Sequence, residues 1–118
     1  MIEVHMNEGE YLPYTHTKKS VTIDDDISVN LLKHEEDEEN VIDIYYDRDK
    51  NLMLGYSTDS QHIVVQIVIP ARQYTLETED NPDYDSSKEE SAMNQKTITK
   101  KVAVPFDIEK CTVRLFAI

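Results

Sequence analysis

The chain has one cysteine, two glycines and no long apolar run, and each shortage removes a class of function. Cys111 alone cannot close an internal disulfide, so the framework that staples small secreted domains is absent. With Gly9 and Gly55 as its two glycines, the chain has no glycine-rich loop to cradle a phosphate and no G-x-S-x-G elbow to expose a serine. Its longest apolar stretches, Ile63-Val64-Val65 and Ile67-Val68-Ile69, are split by Gln66 and fall far short of the ~18 residues that read as a membrane span. The opening residues Met1-Ile2-Glu3-Val4-His5 show neither the basic start nor the apolar block of a signal peptide, and no Asn-x-Ser/Thr acceptor occurs. Together these shortages lead us to expect a cytoplasmic protein without membrane association.

Positive charge is scarce as well. Twelve Lys and Arg stand against 24 Asp and Glu, a net −12 over 118 residues. That length fits a single domain, 1–118. The excess sits in two places: residues 34–50 hold eight acids and two bases, residues 77–90 hold seven acids and one base, and the remainder is balanced. Segments this polar lack the apolar surface that offsets ordering entropy, so mobile acidic loops are expected at about 34–40 and 78–95. The other reading is an acidic surface that attracts basic partners, as in an inhibitor that mimics nucleic acid. Lys18-Lys19 and Lys100-Lys101 are isolated pairs with no basic stripe, which speaks against direct nucleic-acid binding and against anionic membranes.

What the chain does have is period-two alternation. Val21 and Ile23; Ile27, Val29 and Leu31; Ile42, Ile44 and Tyr46; Ile63, Val65, Ile67 and Ile69; Val102 and Val104; and Val113 and Leu115 each share a strand face. Residues 27–32 read as strand in preference to a helix capped by Asp25 or Asp26, because an acidic run at the helix C-terminus opposes the dipole. Val41–Tyr46 and Leu52–Tyr56 form a hairpin with Asn51 at the positive-φ position, and with His62–Ile69 a three-stranded meander. His62–Ile69 is apolar on both faces and should be central. Residues 71–76 pair antiparallel with 96–104, bringing Lys96, Lys100 and Lys101 opposite Glu77 and Glu79. No internal repeat of solenoid length is present. The fold expected is all-β: an antiparallel β-sandwich or partly open β-barrel of about seven strands, with no long helix.

Motifs for chemistry are missing. Asp47-x-Asp49-x-Asn51 opens like a calcium loop, but Leu52 stands where the turn needs glycine and Thr58 where a bidentate glutamate is needed. His5, His16, His34 and His62 show no metal-ligand spacing. Cys111 alternates with apolar neighbours and reads as a buried structural thiol. No nucleophile–base set emerges, so no catalytic, cofactor or metal residue is assigned and no enzyme is expected.

Two places read as contact surfaces. Tyr11, Leu12 and Tyr14, around Pro13, either pack the N-terminal arm onto a sheet edge or meet a partner subunit. The last strand ends Arg114-Leu115-Phe116-Ala117-Ile118 almost uncharged, so it is either an interior strand or pairs across a two-fold interface that buries Phe116 and Ile118, making a homo-oligomer. The segments Glu10-Tyr11-Leu12-Pro13-Tyr14, Ile69-Pro70-Ala71-Arg72-Gln73-Tyr74 and Val104-Pro105-Phe106-Asp107 resemble segments of small uncharacterised proteins from prophages and other mobile elements of Firmicutes. The resemblance implies a phage setting and supplies no active residues. The function expected is a non-catalytic interaction or assembly module with a protein partner; the alternative is an acidic, nucleic-acid-mimicking inhibitor of a host or defence protein.

Overall fold

A computed structural model describes residues 1–91 and 93–118; Ala92, inside the acidic segment expected at 78–95, lies outside the described residues. In chain order the elements are β1 (Ile2–His5), β2 (Tyr14–His16), β3 (Ser20–Ile23), β4 (Ile27–Asn30), α1 (Leu31–His34), β5 (Asn40–Tyr46), β6 (Leu52–Leu54), β7 (His62–Ile69), β8 (Tyr74–Asp80), β9 (Thr97–Ala103) and β10 (Thr112–Leu115), with a 3-10 turn at Ile108–Lys110. The fold is all-β with no long helix. Its strands number ten among the described residues, where the alternation leads to about seven; β1 and β2, in the N-terminal sixteen residues, are strands it does not mark. The chain divides into two compact units, Met1–Arg72 with Phe106–Ile118, and Gln73–Pro105.

The first unit holds a five-stranded sheet, β1-β10-β7-β5-β6, and a three-stranded sheet, β2-β3-β4. All pairings are antiparallel except β1 with β10. Neither sheet closes into a barrel. Instead both contribute to one core, as in a sandwich: Ile42, Ile44, Val65, Ile67, Val113 and Leu115 meet Val21, Ile23 and Val29. Each of these buried aliphatic side chains contributes up to ~1.5–3 kcal/mol by leaving water. β7 is central, between β10 and β5, and is buried on both faces, which is why it carries Val64 and Val68 as well as Val65 and Ile67.

Local chemistry sets the turns. Asp24 and Asp25 adopt φ of 53° and 50° between β3 and β4, a left-handed pair that Asp tolerates better than most residues. In the β5–β6 loop the positive φ falls on Lys50, at 61°, and not on Asn51 as expected. The Asp47 carboxylate explains this. It accepts from the backbone N–H of Asp49 at 2.8 Å and of Asn51 at 2.9 Å, so the chain must reverse at Lys50, the residue between them.

Two further expectations are corrected. Residues 41–69 are not a meander: β6 ends after three residues at Gly55, whose N–H donates to the Asp43 carbonyl, and β7 returns to the other side of β5. The strand expected over 27–32 stops at Asn30, whose side chain accepts from Lys33 N–H and starts the single turn of α1. In the acidic segment at 34–40, Arg72 bonds Glu35 at 3.4 Å, Asp37 at 3.0 Å and the Glu35 carbonyl at 2.9 Å.

The second unit is a two-stranded ribbon, β8 with β9, in register from Tyr74↔Ala103 to Asp80↔Thr97. The antiparallel pairing expected from the sequence is present. It runs into the expected loop at 78–95, so the connection is 81–96. Glu77 stands opposite Lys100, and the Lys101 ammonium lies 4.1 Å from the Tyr74 ring centroid.

Candidate interaction surfaces

The N-terminal arm lies between β1 and β2. Leu12 is 4% exposed and belongs to the core, which leaves it no surface to offer a partner. Its place is held by the Pro13 carbonyl, which accepts from Asp24 N–H at 2.8 Å, and by Tyr14, which pairs with Ile23. Burial, with hydrogen bonding and charge from Glu3, pushes the Tyr14 hydroxyl up to about 12. Tyr11 stacks on His5 with centroids 4.3 Å apart, and its hydroxyl donates to the Asn7 carbonyl. Both tyrosines are half-buried, so the arm is packed within its own chain.

At the other terminus β10 is an interior strand, flanked by β1 and β7. Its uncharged end therefore needs no guard, and the two-fold pairing through this strand is not open to it. Phe116 is half-buried, its N–H donating to the Val64 carbonyl at 3.0 Å, and Ile118 is 52% exposed.

The outer face of the five-stranded sheet carries a polar row. Arg114, Gln66 and Asp43 are in register across β10, β7 and β5. Arg114 donates to the Gln66 side-chain oxygen at 2.8 Å, and the Gln66 amide donates to Asp43 at 2.9 Å. The amide thus relays between a cation and an anion, and explains why one polar residue interrupts the most apolar strand. Ile2 and Val4 share this face through their partners Thr112 and Arg114, and Val41 through Val68. All three are exposed.

The ribbon is a different kind of surface. Among the described residues of 73–105, Asn94 is the one buried side chain. It accepts from Asp85 N–H at 2.9 Å and donates to the carbonyls of Asp85 at 2.9 Å and Glu89 at 3.1 Å, so it organises the connecting loop. Leu76 is 75% and Met93 96% exposed, and Ile98 is exposed as well. The sequence reading missed Asn94 and missed that Leu76 and Ile98 face water; an apolar residue in a two-stranded ribbon looks, in sequence, like one in a covered sheet.

A cleft of about 520 Å³ lies beside the β5–β6 loop, lined by Glu10, Tyr46, Arg48, Lys50, His62 and Ile118 among others. His62 Nε2 donates to the Ala117 carbonyl at 2.7 Å, and burial, followed by the Asp24 charge, raises the Tyr46 hydroxyl. The Cys111 thiol is fully buried and pushed up to about 11, by burial first and the Glu35 charge next, so it is a poor nucleophile. Among the described residues no group of three His, Cys, Asp or Glu is placed to hold a metal ion, and no helix is long and apolar enough to cross a membrane. The chain matches no protein-family model, no curated protein and no solved structure in the comparisons made.

Proposed function

We propose that this chain is a non-catalytic interaction or assembly module, cytoplasmic and of prophage type, whose ribbon β8–β9 engages a protein partner and not nucleic acid. The observation that carries this reading is a 33-residue unit, Gln73–Pro105, with no apolar core among its described residues. Two strands alone are at best marginally stable in water, because neither face is buried and both edges lack partners. Such a ribbon gains lasting order when another surface covers it. Leu76 beside Lys101 gives one face of the ribbon an apolar anchor with a charge next to it, and Ile98 opposite Glu79 gives the other face one. The acidic-mimic reading is less well supported, since Glu35 and Asp37 are drawn onto Arg72.

The test is crosslinking with mass spectrometry in the native host, comparing wild type with a Leu76→Asp/Ile98→Asp variant. Crosslinks from the ribbon to one partner should vanish in the variant while its unfolding midpoint stays unchanged. Hydrogen exchange over 74–80 and 97–103 should be fast in the free protein and slow in the complex. Crosslinks unaffected by the variant would refute the ribbon as the contact, and binding lost steeply with salt would favour the mimic.

A further inference from the structure

The five-stranded sheet ends at β1, a four-residue edge whose one acid is Glu3 and which has no bulge. Ile2–His5 carries no lysine or proline, and all four residues pair with β10 in unbroken register. Regular, unguarded edges template pairing with another chain. Ile2 and Met6 N–H groups donate to the carbonyls of Cys111 and Leu115, both at 2.9 Å. The alternation of a parallel ladder therefore turns the even residues toward β10 and directs the backbone N–H and C=O of Glu3 and His5 outward. All four β1 residues are exposed.

Parity limits how a second copy of this strand can add. Outward-facing residues must form the hydrogen-bonded pairs of an antiparallel ladder, so odd residues must stand opposite odd residues. Centring the two-fold on residue 3 sets Glu3 against Glu3, a like-charge clash. Centring it on residue 5 sets His5 against His5. Centring it on residue 4 sets Glu3 opposite His5 of the second copy, twice, with Ile2 opposite Met6 and Val4 opposite itself. Of these registers it is the one in which every pair is complementary. Within one copy the Glu3 carboxylate already accepts from His5 Nε2 at 2.8 Å, which shows that these two side chains match.

We propose that the protein self-associates about a two-fold axis through β1, in the register centred on Val4, so that two five-stranded sheets join into one of ten strands. The partner is a second copy of this chain. The contact is independent of the ribbon: a variant that loses the ribbon's partner keeps it. β1 contributes a single acid to the net −12, so the chain's charge excess lies outside the pairing strand.

Sedimentation velocity over a concentration series tests the association. Wild type should dimerise, and His5→Glu should weaken the dimer about tenfold by placing two like-charge pairs in the ladder. Glu3→Lys combined with His5→Glu should restore it, because the charges again oppose. Val4→Cys should form a disulfide dimer under mild oxidant, since a non-hydrogen-bonded antiparallel pair brings its Cβ atoms close; Glu3→Cys and His5→Cys should not. Buried Cys111 supplies no competing thiol. A wild type that stays monomeric at millimolar concentration, with Val4→Cys unlinked, would overturn the proposal. So would crosslinking through position 3 or 5 in preference to 4.

Discussion

Truncating Leu12 to alanine separates an arm that is part of the core from an arm held ready for a partner. Leu12 is 4% exposed, among Val21, Ile23 and the other core residues. Removing three buried carbons forfeits about 2.4 kcal/mol at the usual value per methylene. The unfilled space adds to that, but the arm is peripheral and can settle inward, so the total should lie near the low end for Leu→Ala, about 3 kcal/mol. For a chain of this length that corresponds to a fall of roughly 10 °C in Tm. Urea unfolding followed by far-UV circular dichroism or by fluorescence of the seven tyrosines, with no tryptophan to obscure them, would measure it. Tyr11→Ala, which removes a stacked but half-buried ring, should cost about 1 kcal/mol. A Leu12→Ala variant within 1 kcal/mol of wild type would refute the reasoning and return Leu12 to the surface.

Other outcomes follow from single contacts. Gly9 has φ of +145° and a Cβ there would stand 2.6 Å from the Ala117 Cβ, so Gly9→Ala should cost about 2 kcal/mol or more, with Ala117→Gly restoring part of it in the double variant. The Cys111 thiol, raised by burial from a usual 9.0 to about 11, stays neutral in the folded chain while the unfolded chain ionises; stability should therefore be full below the usual value and fall as pH rises toward the folded one, read as a declining urea midpoint. Asp85 is held below the usual carboxylate range by the Ser87 hydroxyl and then the Ser87 N–H. The order it lends the loop should be full above that range and lost as pH falls through the depressed value, so a Ser87 amide shift titrating at the ordinary carboxylate position would contradict the bond.

The strands with a buried face were legible in the sequence because burial imposes a period. Val21 and Ile23, Ile42 and Ile44, Val65 and Ile67, Val113 and Leu115 alternate since one side of each meets the core, and β7 shows apolar residues on both faces because it is central. The antiparallel partnership of β8 with β9 was also legible, from the polar loop that joins them and the opposite charges across it. What one dimension does not encode is which edges meet. That β7 crosses to the far side of β5, and that β1 covers β10 in parallel, depends on long-range competition for the most apolar edges, which leaves no local mark in β1. The uncharged C-terminal strand shows the consequence: its lack of guarding charge fits either an edge that pairs or an interior strand. Tertiary pairing decided for the interior, and moved the open edge to Ile2–His5 at the other end of the chain.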